Sequence, residues 1–367
     1  MKKDLTFGFI GLGLIGGSIA KALRETFTNC HILAYDIQNE AVSSAVSDGI
    51  VNTALSQIDE HFSICDYLFL CAPVSFNDEN LQKVKQYISP DCLITDVGSV
   101  KTDIHKTIDA LNLKHQFIGG HPMAGSERTG YVNSKALLLE NAYYILTPTR
   151  EVPSEKIEHY KDLVTALGAI PLVLTYEQHD FVTAAVSHLP HVIAASLVNL
   201  IKSSDSEDGI MKLIAAGGFK DITRIASSSP AMWQQICMTN SENIDTLLTS
   251  YIESLKAIQE EIRTEKEAPV FHFFESARNY RDSFIDASSG PIKKVYTLNI
   301  EIADEPGALA SIATILALNN ISIKNIGILH NREQQDGVLR IELYEPESIK
   351  DAKRILSGKG YIIHEKK

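Results

Sequence analysis

The sequence predicts an α/β chain in three parts: a parallel-sheet domain over residues 1–175, an all-helical segment over 176–290 and a ferredoxin-like α+β unit over 296–367. Three observations predict it. Short apolar runs alternate with helix-like segments through the first half, which is the pattern of parallel strands joined by crossover helices. From Tyr176 to about Asp286 the strand-like runs disappear and apolar residues recur at helical spacing. After the small-residue stretch Asp286-Ala287-Ser288-Ser289-Gly290-Pro291 the patterns run β-α-β-β-α-β.

In the first part, residues 6–10, 31–35, 67–71, 93–95 and 116–118 read as strands, with helices expected over 18–25, 40–48, 77–87 and 101–111. Runs 143–146 and 170–174 flank a helical stretch, 154–167, and are expected to extend the same sheet. In the last part, 295–302 and 337–343 alternate like half-buried strands, while 309–318 and 349–356 look helical. The most apolar later stretch, 181–201, carries His188, Pro190, His191 and Asn199, and reads as a buried helix rather than a membrane span. Lys2-Lys3 before an apolar run mimics a secretory signal, but glycines break the run and Asp4 sits in its charged flank.

The charge balance excludes one class of partner. Residues 1–175 hold 14 bases and 20 acids (−6), 176–290 hold 9 and 16 (−7), and 291–367 hold 11 and 10 (+1), which sum to the net −12. No segment supplies the basic face that counterion release from nucleic acid needs. The five cysteines, Cys30, Cys65, Cys71, Cys92 and Cys237, form no C-x-x-C pair and are expected to be reduced thiols of a cytoplasmic protein.

The first strand runs into Gly11-Leu12-Gly13-Leu14-Ile15-Gly16, which opens directly into a helix. Glycines there permit a tight turn and close backbone approach, and the free N–H groups at the helix start suit a pyrophosphate. Asp36 closes the second strand, 20 residues beyond Gly16, where a carboxylate accepts from ribose hydroxyls and repels a 2′-phosphate. This context predicts a Rossmann-type dinucleotide-binding domain that takes NAD. Ala72, Pro73 and Val74 at one strand tip and Ser99 at the next are expected to line the nicotinamide end. Ser99 could equally cap the helix at 101–111.

Gly119-Gly120-His121-Pro122-Met123-Ala124-Gly125-Ser126-Glu127 follows the next strand, and His121, in what reads as a strand-end loop, is the candidate catalytic residue. Further on stand His179-Asp180, Ser187-His188-Leu189-Pro190-His191, and Gly217-Gly218-Phe219-Lys220-Asp221-Ile222-Thr223-Arg224-Ile225-Ala226, then Trp233. His188 and His191 share a helical face, but no third ligand at a metal-like spacing accompanies them, so no metal is expected. A G-x-S-x-G hydrolase elbow is missing.

In this order the motifs resemble the prephenate dehydrogenase family of tyrosine biosynthesis, along the whole chain. The resemblance implies oxidative decarboxylation of prephenate by NAD to 4-hydroxyphenylpyruvate, CO2 and NADH. It makes His121 the acceptor of the ring hydroxyl's proton and has Ser99 hold that hydroxyl and His121 in register. Arg224 would grip a substrate carboxylate, its alternative being an i,i+3 pair with Asp221. His191 would recognise the pyruvyl side chain, His179 and His188 would orient the site, and Glu127 would pair with Arg224 and gate entry. Trp233 reads as helix–helix core or dimer interface. Arogenate dehydrogenase is the near alternative, and a catalytically idle sensor of NAD and amino acids is the alternative from another class.

By the same resemblance the last part is an ACT domain, with Asp304, Pro306, Gly307, Ala308 and Leu309 in its ligand turn and Asn325 near the second strand's end as effector contacts. Tyrosine is then the expected effector, and the helical part a dimerisation and substrate domain of a homodimer or higher assembly.

Overall fold

The computed structural model describes residues 4–125, 128–286, 296–302, 305–329 and 337–364. Contacts divide the chain into two compact units, Met1–Glu260 and Glu261–Lys367.

The first unit opens with β1 (Thr6–Ile10), α1 (Leu14–Thr26), β2 (His31–Tyr35), α2 (Asn39–Ser47), β3 (Thr53–Leu55), β4 (Tyr67–Leu70), α3 (Val74–Val84), β5 (Leu93–Asp96) and α4 (Thr102–Ala110). The five strands form one parallel sheet in the order β3-β2-β1-β4-β5. β3, only three residues long, carries too little pattern to read from the sequence. Strand alternation sends Phe7, Phe9 and Phe69 to one face and Leu68, Leu70 and Ile94 to the other, each side closing a separate core. Phe9 and Phe69 stack with ring centroids 4.9 Å apart. Strand order reverses between β1 and β4, and this switch point places the ligand crevice at their carboxyl ends.

Beyond it the sheet does not simply continue. β6 (Ile118–Pro122), β7 (Tyr143–Pro148) and β8 (Ile170–Val173) form a second, three-stranded sheet, with β6 and β7 antiparallel and α5 (Ser154–Ala166) crossing to β8. One parallel bridge, Ile94 to Phe117, joins β5 to the chain entering β6. The expected strand at 116–118 is instead a 3-10 turn, Lys114–Gln116, followed by β6, so His121 lies within a strand and not in a loop after it.

α6 (Tyr176–Thr183) and α7 (Leu189–Ser204) are one continuous rod, interrupted by a π turn at Ala184–His188. Pro190 causes it, because its missing N–H cannot serve the carbonyl one turn back. α8 (Ile210–Ile214), α9 (Gly217–Thr223), α10 (Pro230–Thr239) and α11 (Ser241–Arg263) follow. The rod is not buried within the chain, contrary to expectation: Val186 and Leu200 are exposed, as are Leu213, Ile214 and Met238 on the neighbouring helices.

In the second unit α12 (Glu267–Asp286) precedes β9 (Tyr296–Ile302), α13 (Ala308–Leu318), β10 (Ile323–Leu329), β11 (Gly337–Leu343), α14 (Pro346–Ser357) and β12 (Ile363–His364). The strands pair antiparallel in the order β10-β11-β9-β12, the ferredoxin-like arrangement expected, over a core of Leu298, Ile300, Ile312, Leu316, Leu339 and Ile341.

Candidate active site

The glycine loop is shaped by close backbone contact. Gly11 has φ +93°, and a Cβ there would lie 2.5 Å from the Ala72 nitrogen at the β4 tip. Gly13, by contrast, faces open space with no atom within 4 Å of a Cβ position, leaving a cradle beside the first turn of α1. The Asp36 carboxylate accepts from Leu12 N–H at 2.6 Å and from Gln38 N–H at 2.7 Å, which ties the second strand's end to the loop. Remaining lone pairs on its oxygens suit ribose hydroxyls. Leu14, Ile15 and Gly16 form the first turn of α1, so the residues present fit a dinucleotide. Ala72 and Pro73 lie at the neighbouring tip, and Val74 begins α3.

The β5 tip is held from inside. Asp96 and Lys101, both buried, form an ion pair; the same carboxylate accepts from Gly98 N–H at 2.9 Å and Gly120 N–H at 3.2 Å. Burial pulls the Lys101 pKa down, and the Asp96 charge opposes that. Ser99, half-buried between them in sequence, does not cap α4. Asp180 from α6 takes that task, its two oxygens accepting from Lys101 N–H and Thr102 N–H, each at 2.8 Å, and from the Thr102 hydroxyl at 2.6 Å.

Asp180 also starts a series of rings. His179 Nδ1 lies 2.7 Å from Asp180 Oδ1, and His179 Nε2 lies 2.8 Å from His121 Nδ1. A carboxylate only accepts, so His179 carries its proton on Nδ1 and offers a lone pair at Nε2. His121 must then donate from Nδ1, which leaves a lone pair on its Nε2. Burial, the neighbouring His179 and Lys101, and His188 hold the His121 pKa well below the ordinary histidine value. Burial alone would raise the Asp180 pKa; hydrogen bonds from His179, Thr102 and Lys101 N–H outweigh it and bring it below the usual carboxylate range.

A second cluster adjoins the first. His188 lies edge-on to Trp233, with centroids 6.0 Å apart, and His191 stacks on the same indole at 3.7 Å. Burial lowers the His191 pKa; a hydrogen bond with the Ile225 backbone opposes this, and the Arg224 charge adds to it, so Arg224 and His191 converge. Arg224 begins the 3-10 turn Arg224–Ser227 and is exposed. Trp233 is therefore part of the histidine cluster, and its indole nitrogen is buried without a hydrogen-bond partner among the described residues. Glu127 lies outside the described residues. Sequence reading gave no role to Asp96, Asp180 or Asn240, which find partners far along the chain.

In the second unit, Pro306, Gly307 and Ala308 line a pocket of about 450 Å³ with Glu301, Glu305 and Tyr361. Leu309 and Asn325 are not among its lining residues, and the Asn325 side chain accepts from the Ile326 N–H. Asp304 lies outside the described residues.

A base that stays neutral at physiological pH, beside a crevice built for a dinucleotide, is what proton-coupled hydride removal requires, and it defines a nicotinamide-dependent dehydrogenase. Comparison with known proteins narrows the class. Residues 19–172 match the nucleotide-binding domain of prephenate dehydrogenase, and residues 175–276 its dimerization domain. The chain is 36% identical over 352 residues to the prephenate dehydrogenase of Bacillus subtilis, covering 95% of each, and 33% identical over 360 residues to that of Lactococcus lactis, covering 97% of this chain and 98% of the relative. A crystal structure of the Aquifex aeolicus prephenate dehydrogenase in complex with hydroxyphenyl propionate and NAD+ superposes with a TM-score of 0.72 at 32% identity, over 76% of this chain and 98% of that one. Arogenate dehydrogenase of Synechocystis superposes with a TM-score of 0.69 at 27% identity, over 77% of this chain and 100% of that one. The chain belongs to the prephenate dehydrogenase family.

Proposed function

We propose that this protein is a cytoplasmic, NAD-dependent prephenate dehydrogenase of tyrosine biosynthesis, with NAD held by residues 1–175, prephenate met by 176–290 and an effector bound by 296–367. The observation that carries the reading is the series Asp180–His179–His121, which leaves a neutral imidazole with a lone pair on Nε2. Bound NAD supplies the hydride acceptor. His121 Nε2 takes the proton of the substrate's ring hydroxyl as the C–H bond there is broken, and the resulting imidazolium is steadied through His179 by the Asp180 charge. Ser99 hydrogen-bonds the same hydroxyl. The ring carboxylate then leaves as CO2, its bonding pair flows through the ring to the oxygen, and that oxygen takes the proton back from His121; aromatisation drives the step, so no acid is needed beside the departing carboxylate.

In this reading Arg224 binds a substrate carboxylate and His191 the pyruvyl oxygen. His188 and His179 orient the site, and Glu127 pairs with Arg224 at the entrance. Gly11, Leu12, Gly13, Leu14, Ile15 and Gly16 take the diphosphate, Asp36 the ribose, and Ala72, Pro73, Val74 and Ser99 the nicotinamide side. The exposed apolar residues of the helical part are covered by a second copy of the chain, making a homodimer. The pocket at Pro306, Gly307 and Ala308 takes tyrosine, whose ammonium would face Glu301 and Glu305.

Steady-state kinetics with prephenate and arogenate, each with NAD and NADP, test the assignment. Prephenate with NAD should give the highest kcat/KM; a preference for arogenate or NADP overturns the corresponding part. His121→Asn should lower kcat by about 10²–10⁴-fold with NAD binding intact. Turnover at the parental rate would remove the proposed base.

A further inference from the structure

Asn240 stands at the junction of α10 and α11, buried, and its side chain reaches both histidine clusters. Its amide nitrogen donates to the Asp180 backbone carbonyl at 2.8 Å and lies 3.2 Å from His188 Nδ1. Its oxygen accepts from Asn243 Nδ2 at 2.8 Å. A carbonyl oxygen accepts only, so the group facing Asp180 must be the NH2, and the orientation of the amide is settled by chemistry. The second N–H of that group meets His188 Nδ1, which must therefore carry a lone pair. The ring proton then sits on Nε2.

We propose that Asn240 is a positioning residue that fixes the tautomer of His188, so that His188 presents an N–H donor, and never a lone pair, to an oxygen of the substrate. The inference rests on the reading above that His188 orients the site, and adds that its Nε2 is turned to the substrate. Its logic is selective. Prephenate offers two carboxylates and a keto oxygen, all acceptors, and the opposite tautomer would turn a lone pair towards them. Asn240 also links this ring to the backbone of Asp180, the residue that orients His179, so one amide serves both clusters.

Burial pushes the His188 pKa down to about 4. Among the charged and titratable groups that face it, Asp180 opposes the shift, while His179 and His191 add to it. Native His188 is thus neutral through the working range, and the tautomer, not the charge, decides what it offers.

The test replaces the donor by an acceptor. In Asn240→Asp the new carboxylate accepts from His188 Nδ1–H, locks the wrong tautomer and raises the ring's pKa. At neutral pH kcat/KM for prephenate should fall about 10- to 100-fold, mainly through KM. As pH falls and His188 becomes doubly protonated, Nε2–H returns and kcat/KM should recover, an acid-side rise the native enzyme lacks. Asn240→Ala, which imposes no tautomer, should lose less and show no such rise. Nitrogen-15 NMR of histidine-labelled full-length protein reads the tautomer directly and does not depend on activity. His188 protonated on Nδ1 in the native protein, or an Asn240→Asp profile parallel to the native one, overturns the inference. His188→Ala with unchanged kinetics would instead overturn the placement of His188 at the substrate.

Discussion

Asp180→Asn isolates what one carboxylate does for both helix and base. The native group accepts four hydrogen bonds: from His179 and Lys101 N–H on one oxygen, and from Thr102 N–H and the Thr102 hydroxyl on the other. Asparagine keeps one oxygen and turns an NH2 towards donors at the other position. If the NH2 takes the Oδ1 place, His179 must accept at Nδ1, donate from Nε2 and reverse His121, whose Nε2 then holds a proton and cannot act as a base. If it takes the Oδ2 place, the tautomers survive but the negative charge that steadies the imidazolium is gone. Either way a backbone N–H at the start of α4, that of Lys101 or of Thr102, loses its acceptor, which costs about 1–3 kcal/mol of stability. The same exchange in the serine-protease triad lowers kcat about 10⁴-fold, and a loss of about 10²–10⁴ is expected here. The assay is NADH formation at saturating prephenate and NAD, with thermal unfolding and NAD binding measured on the same sample. A variant that unfolds a few degrees early yet keeps kcat within about threefold would refute the tautomer argument, since capping alone would then account for Asp180.

Two further outcomes follow from the same geometry. His105 and His188 are buried with pKa values of about 4, against about 6.5 in an unfolded chain, so the unfolded state binds more protons between those values. Stability is therefore full above pH 6.5 and is lost as pH falls towards 4, by about 3 kcal/mol for each ring; denaturant titration at pH 7 and pH 4.5 should show the drop, and His105→Gln should reduce it. Gly11→Ala should abolish NAD binding by calorimetry while leaving the pocket at Pro306, Gly307 and Ala308 intact, because the methyl would strike the Ala72 backbone; unchanged affinity would displace the cofactor from this loop.

Most of the first sheet was legible because buried parallel strands are short apolar runs and the glycine loop has a fixed grammar. β6 was not legible. Gly119-Gly120-His121-Pro122 has no strand propensity, and its glycines suggested a loop. They serve packing instead: a Cβ on Gly119 would lie 2.3 Å from Thr147 Oγ1, and one on Gly120 would lie 2.6 Å from the Asp96 carbonyl oxygen. Local sequence also hid that β7 turns antiparallel to β6, since alternation fixes which face a side chain takes and not the direction of its neighbour. His121, His179, His188, His191 and Arg224 could be nominated from motifs, but the links between them could not. Asp180 caps a helix 78 residues upstream, and Asn240 reaches His188 from 52 residues away. Such partners carry no signal at short range.

The double duty of Asp180 couples the catalytic base to the docking of α6. The helix it caps belongs to the dinucleotide half and the ring it orients belongs to the helical half, so neither half holds a competent base by itself. Loosening of α6 from α4 would free the tautomer of His121 while the glycine loop stays intact, which makes turnover a more sensitive gauge of their docking than any global melting curve.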